Sequence, residues 1–391
     1  MVTAPQLITG LPGAQILSPG YVVISRDEVA DAGEGTPPRP ADVVLPEGLL
    51  VPGFVDLQVN GYYGQELMAA RPEGWAEIVR RLPETGTTAF LPTFITAPLD
   101  RLVRAFRATA AFAPDLPGGA RVLGIHLEGP FIAPSRRGAH NQAWIVDPTH
   151  EAIDQLLTAG GGLLRLVTLA PERPGALAAI TQLTAAGVLV SVGHSDATAA
   201  QVAEAADRGA RMVTHLFDAQ RPLHHREPGV VGQALADPRL TSGLIADLHH
   251  VAGLVCRIAF AAAPGRIAIV TDAAACAGMP DGRYLLGGES IELPPGAGQP
   301  PVRADGTLAG SALRMDTGVA NMVAAGVDLT AAVAAATRIP ADLIGCPSLG
   351  RIAPGAAGDL VWLGPDLQAR ATWIGGRRVF GQSNDSDGGR P

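Results

Sequence analysis

The chain has 391 residues, 47% of them apolar, and a formal net charge of −8. That apolar content suffices for one large core with a smaller satellite, and the absence of any basic run argues against nucleic acid or a membrane surface as partner. The lysine and arginine positions are all arginine, which excludes Schiff-base lysine chemistry, a P-loop and a carboxylated-lysine metal bridge and leaves a small molecule as the expected partner.

Taken in chain order, residues 1–50 carry short alternating runs, YVVISRDEV and ADVVLPEGLLV, between Gly/Pro turns, and GDLVWLG and ATWIGGRRVF repeat that pattern near the other end. They predict a small β-sandwich built from 1–50 and 346–382, with 383–391 too polar to dock and therefore a mobile tail. The N-terminus lacks a basic stretch followed by a long apolar one, and no apolar run reaches membrane-spanning length. Cys256, Cys276 and Cys346 have neither disulfide nor structural-zinc spacing, so a reducing, cytoplasmic setting is expected.

Between the ends, eight Val/Ile/Leu-rich segments are expected as strands at 53–59, 88–93, 121–127, 164–169, 188–192, 212–216, 242–246 and 266–271. Ala/Leu-rich stretches such as 178–186, 197–206 and 250–263 are long enough for helices. The alternation predicts an α/β fold, a (β/α)8 TIM-like barrel over 51–345. An open doubly wound sheet would alternate similarly, but no G-x-G-x-x-G follows the first strand and polar residues recur after nearly every strand.

Those polar residues carry the chemistry, because parallel barrel strands deliver their C-terminal ends to one face. PGFVDLQVNG places Asp56, Gln58 and Asn60 at two-residue spacing; amides are poor transition-metal ligands, so this strand is not expected to complete a second metal site, and Asp56 reads equally well as polar packing. Glu128 ends the third strand before Gly129 and Pro130, while His126 lies deeper and reads as a hydrogen-bonded core group. His194 and His215 close two successive apolar runs, and with Glu128 they make three N/O ligands that leave one position for water. Asp272 after the eighth strand is placed as base and then acid; its service as a further ligand stays open.

The motifs PGFVDLQVNG, GIHLEGPF, VSVGHSDAT, THLFDA, REPG, IVTDA and LAGS, in this order, resemble the amidohydrolase superfamily, and within it look like the N-acetylglucosamine-6-phosphate deacetylases. The resemblance implies one divalent metal at Glu128, His194 and His215, zinc first with iron, cobalt or manganese also suited, and Asp272 as general base and acid. It also implies that His140 polarises the substrate carbonyl, that Asp218, Ala219, His250 and the turn Leu308, Ala309, Gly310 touch substrate, and that Arg226 reaches across a homodimer to a phosphate. Two departures bear on that phosphate: Asp218 stands where the family commonly has Asn, and D-L-H-H replaces D-G-x-H around His249 and His250. A carboxylate repels a dianion, although His224, His225 and His249 could offset it if protonated. The expected reaction is deacetylation of N-acetylglucosamine 6-phosphate; the alternatives are an amidohydrolase of an unphosphorylated N-acyl compound and a silent scaffold on the same fold.

Overall fold

Eight parallel strands follow one another in sequence and in space in the computed structural model of the chain, which describes residues 1–296 and 298–381. They are β1 (Phe54–Val59), β2 (Thr87–Ile95), β3 (Ile125–Glu128), β4 (Leu164–Leu169), β5 (Leu189–Val192), β6 (Met212–Val213), β7 (Thr241–Ile245) and β8 (Ile267–Val270). Each pairs with the next in parallel. The ring is drawn together past the ends of β1 and β8, where Asp272 N donates to Gln58 O at 2.9 Å and Asn60 N to Ala273 O at 2.8 Å. The result is a nearly closed (β/α)8 barrel. Such strands are covered on both faces, which is why they read as unbroken apolar runs; all nine residues of β2 are buried.

A helix follows every strand: α1 (Pro72–Arg81), α2 (Leu99–Phe112), α3 (His150–Gly160), α4 (Ala176–Ala185), α5 (Ala199–Asp207), α6 (Gly229–Ala236), α7 (Gly253–Ala262) and α8 (Met315–Ala324). The short helices α9 (Leu329–Ala336) and α10 (Arg338–Leu343) come after them. Local chemistry sets their starts. α5 opens on a capping box between Thr198 and Gln201 and buries Val202, Ala205 and Ala206, one face at i, i+3 and i+4. None of the described helices is long and apolar enough to cross a membrane.

Three boundaries differ from the sequence expectation. The segment 121–127 is two strands, because Arg121–Val122 pairs on β2 alone and the chain breaks at Gly124, where φ is 137° and a Cβ would meet Arg165 Cγ at 2.1 Å. β6 stops at Val213, so His215 stands on a loop beyond the sheet rather than at its last position. α7 begins at Gly253 instead of 250, since Asp247 Oδ1 accepts the N–H groups of His249 and His250 and holds them in a turn.

The chain ends form two small sheets. One contains Val2–Ala4, Gly20–Ser25, Glu28–Glu34 and Val43–Val44; the other contains Gln6–Leu7, Leu49–Pro52, Leu360–Leu363, Ala369–Ile374 and Arg377–Phe380. Val22, Leu50, Leu360 and Trp373 lie in a core cluster of their own between them, separate from the barrel core. Leu49–Pro52 runs almost directly into β1 and so ties these sheets to the barrel. The tail 383–391 lies outside the described residues.

Candidate metal centre

Among the described residues nine that are not glycine have φ in the left-handed region, and seven of them, Tyr63 (51°), His194 (47°), His215 (28°), Phe217 (83°), Ala219 (50°), Leu248 (66°) and Asp272 (50°), sit in loops that follow barrel strands. Each such residue costs about 1–3 kcal/mol and persists only where the surroundings over-determine it. Here the turned backbone aims four of the predicted site residues, His194, His215, Ala219 and Asp272, inward.

Glu128, His194 and His215 present ligand atoms within 4.8 Å of one another, all buried. His194 Nε2 and His215 Nε2 lie 3.1 and 3.0 Å from Glu128 Oε1 and 3.1 Å from each other. Their other ring nitrogens settle the tautomers: His194 Nδ1 faces Arg136 O at 2.9 Å and His215 Nδ1 faces Asp218 O at 3.1 Å. A carbonyl only accepts, so both Nδ1 atoms carry the proton and both Nε2 lone pairs point at the carboxylate. Three electron pairs converge with no donor between them, a set that fits a divalent cation. Without one, burial opposes charging of His215 but the Glu128 carboxylate outweighs it and raises the imidazole to about 9.

Asp272 stands beside this cluster. Its Oδ1 accepts from Asn60 Nδ2 at 2.6 Å and Gln58 Nε2 at 3.0 Å, and Gln58 Nε2 also reaches Glu128 Oε1 at 3.1 Å. The amides of Gln58 on β1 and Asn60 just beyond it thus donate to the carboxylates, which explains amides at these positions. Burial and the Glu128 charge raise the Asp272 carboxyl to about 6. Asp56, one turn of the pleat deeper, accepts from Thr271 Oγ1 at 2.6 Å and from the N–H groups of Gln58 and Thr271, and thereby fastens β1 to β8.

His140 enters from the loop after β3. Its Nδ1 accepts from Thr96 N at 3.4 Å and lies 2.7 Å from Thr96 Oγ1, which leaves the proton on Nε2, 3.9 Å from Glu128 Oε2. Burial is the main cause that lowers this imidazole to about 3, so it is a neutral donor. His126 is enclosed below, between Leu57 O at 3.1 Å and Thr168 Oγ1 at 2.8 Å.

A cavity of 330 Å³ opens over these groups and is also lined by Asp218, Ala219, His250, Leu308 and Gly310. Ala309 is buried behind the wall and does not line it. His250 Nδ1 lies 2.7 Å from Asp247 Oδ2, which presents Nε2 as the free ring nitrogen. Asp218 Oδ2 is buried without a partner, and burial raises this carboxyl to about 6. Arg226 is exposed and absent from its own cavity, as are His224, His225 and His249. The structure therefore does not use these histidines to offset Asp218 within one subunit.

Sequence reasoning missed Ile95, Ser135, Arg136 and Leu286 on the cavity wall. Arg136 binds Asp196 Oδ1 through Nε at 2.9 Å and through a terminal nitrogen at 2.7 Å, which pins the loop whose carbonyl orients His194. An arginine two residues before G-A-H and an aspartate two after a candidate ligand are a signal only once the two loops are known to meet.

A model of the amidohydrolase family matches residues 49–379. The chain is 39% identical over 332 residues to the N-acetylgalactosamine-6-phosphate deacetylase of Escherichia coli O157:H7, covering 84% of this chain and 87% of that one. It is 38% identical over 316 residues to the N-acetylglucosamine-6-phosphate deacetylase of Bacillus subtilis (strain 168), covering 79% of each. A mutant N-acetyl-D-glucosamine-6-phosphate deacetylase of Mycobacterium smegmatis, solved in complex with N-acetyl-D-glucosamine 6-phosphate, superposes with a TM-score of 0.91 at 38% identity over 97% of this chain and 98% of that chain.

Proposed function

The chain belongs to the amidohydrolase family, and we infer that it is a metal-dependent deacetylase that converts N-acetylglucosamine 6-phosphate to glucosamine 6-phosphate and acetate. The observation that carries this reading is the convergence of the Glu128, His194 and His215 lone pairs beside a buried aspartate, in a fold that superposes on a deacetylase with that sugar bound.

In this reading Glu128, His194 and His215 would hold one divalent ion, zinc first, with iron, cobalt or manganese also suited to the donors. There it would supply Lewis acidity, which lowers the pKa of water toward neutrality. Asp272 has Oδ1 engaged by two amides, so Oδ2 takes the proton of the attacking water and returns it to the departing amine. His140 Nε2–H donates to the acyl oxygen as negative charge develops there.

At the far end of the sugar, burial opposes charging of His250 but the Asp247 carboxylate outweighs it and raises the imidazole above its ordinary value, so that as an imidazolium it donates through Nε2–H to phosphate. Arg226, exposed on its own subunit, serves the phosphate of a second copy in a homodimer. Exposed apolar side chains at Leu223, Leu254 and Ile258 support such an interface. Residues 1–50 and 346–382 form a small β-sandwich domain in this reading, 51–345 the catalytic barrel, and three unpaired cysteines support a cytoplasmic setting.

The unpartnered Asp218 Oδ2 favours one second reading, an unphosphorylated N-acyl amino sugar whose hydroxyl would satisfy it. Acetate release by the metal-loaded protein separates the two. A strong preference for N-acetylglucosamine 6-phosphate over N-acetylglucosamine is expected, with the galacto 6-phosphate epimer run beside them. Turnover of the neutral sugar alone would move the assignment to the second reading, and no turnover after metal reconstitution would overturn both.

A further inference from the structure

The cavity has two unlike walls. Asp218 and His250 stand on the side of β6 and β7, and Ile95, Leu286 and Leu308 stand on another. Ile95 and Leu286 belong to an apolar cluster distinct from the barrel core, which also contains Ala274 and Ala309 and on which Ala139 packs. This cluster adjoins the reacting groups in the chain: Ile95 precedes Thr96, the partner of His140; Ala139 precedes His140; and Ala274 is two residues beyond Asp272.

Leu286 is carried by a hairpin of two strands, Gly282–Leu286 and Glu289–Leu293, inserted after β8. The insertion is fastened with unusual care at this residue. Gly287 N donates to Glu66 Oε1 at 2.8 Å, and Glu66 is a buried carboxylate that burial raises above its ordinary range. Enclosing a carboxylate is costly, and what this one holds is the main chain next to Leu286. A Cβ on Gly287 would come within 2.6 Å of Ile95 Cδ1, so the turn is pressed against the other half of the apolar wall. Glu289 Oε1 accepts from Asn141 Nδ2 at 2.8 Å, and Arg303 bridges Glu289 Oε2 at 3.3 Å and Ala139 O at 2.7 Å. The hairpin and the His140 loop are thereby one mechanical unit.

An acyl carbon chain extends from the carbonyl away from the amine, and the hydroxyl- and phosphate-bearing end of the sugar takes the polar wall. The acyl chain then faces the apolar one. We propose that Leu286, braced against Ile95, is an acyl gauge: it sets the length of the acyl group admitted beside His140 and Asp272, accepting acetyl and excluding longer chains. This rests on the deacylase reading above and adds the residue that determines acyl specificity.

The test is a kcat/KM panel of N-acetyl, N-propanoyl and N-butanoyl glucosamine, each with and without the 6-phosphate, on metal-loaded protein of verified metal content. Wild type should lose about tenfold or more per added carbon, the scale on which a fitted apolar pocket rejects a methylene. Leu286→Ala should raise the butanoyl-to-acetyl ratio by about tenfold or more, and Leu286→Phe should lower the propanoyl-to-acetyl ratio. Ile95→Val, which opens the same wall with less disturbance of the hairpin, should shift the ratio in the direction of Leu286→Ala. A wild type indifferent to acyl length, or openings that reduce all three chain lengths equally, would overturn the gauge. Turnover confined to the sugars without phosphate would overturn the phosphate reading while the acyl ratio still judges the gauge, and no turnover of any member would overturn both.

Discussion

His126 and the pair His194 and His215 are buried histidines one layer apart in the same barrel, and the protein uses them in opposite ways. His126 has both ring nitrogens engaged, by Leu57 O and by Thr168 Oγ1, which continues through Thr214 Oγ1 at 2.7 Å to Ser191 Oγ at 2.6 Å. Burial lowers it to about 4, so it is a neutral member of a closed polar layer. His194 and His215 have one nitrogen each engaged by a carbonyl and turn the other toward Glu128 from a left-handed backbone. What distinguishes a packing histidine from a candidate ligand here is how many ring nitrogens the protein satisfies, and burial does not separate them.

The largest expected effect falls on the rim. His215→Ala or His194→Ala should remove the ion and lower kcat/KM by on the order of 10³–10⁴-fold, the several kcal/mol that a Lewis acid supplies; metal content by elemental analysis would fall with activity, and a stoichiometric ion in either variant would break the ligand assignment. Asp272→Asn should keep the ion and lose about 10²–10⁴-fold in kcat. Near-normal turnover with metal bound would remove Asp272 from the chemistry. Gly310→Ala tests how tightly that aspartate is positioned, since its φ is 65° and the new Cβ would lie 2.8 Å from Asp272 O. A loss of about tenfold or more in kcat with unchanged metal content is expected.

The inner layer should respond in stability instead. His126→Ala removes the partner of the Leu57 carbonyl and of the Thr168 hydroxyl and leaves a cavity, so a loss of about 2–4 kcal/mol is expected by denaturant titration, with the ion retained; loss of the ion in a folded variant would make His126 part of the metal centre. The smallest effect concerns Asp56, whose carboxyl burial raises to about 7. The folded state holds that proton more tightly than the unfolded chain, so its stabilising contribution is full below the ordinary carboxylate pKa and is lost as pH rises toward about 7. Asp56→Asn should therefore gain on wild type in Tm as pH rises through this window, by about 2 °C or more. Parallel pH profiles for the two proteins would show that Asp56 titrates normally in the fold.

Much of this arrangement was legible beforehand, and the exceptions are instructive. The eight strands stand out because each is a short apolar run flanked by turn residues, yet the end of β6 does not, because Thr214, His215 and Leu216 continue the same pattern off the sheet. The candidate ligands were visible as polar residues terminating apolar runs. Leu286 and Ile95 were not, because an apolar residue gives no sign of whether it faces a core or a cavity. Arg226 was expected, from the resemblance alone, to serve a second copy, and it is exposed and outside its own cavity.

The sequence by itself determined the barrel, the order of its strands and the chemical types gathered at their ends, since residue periodicity and turn chemistry are properties of neighbours along the chain. Only the tertiary structure decided which atoms meet: that Nδ1 of His194 and His215 face carbonyls, that the amides of Gln58 and Asn60 occupy one oxygen of Asp272, and that a hairpin from beyond β8 presses Gly287 onto Ile95 at the end of β2 and brings Leu286 into one apolar cluster with it. Those contacts join residues far apart in the chain, such as Gln58 and Asp272, and depend on ring closure and on individual left-handed residues, neither of which leaves a periodic trace.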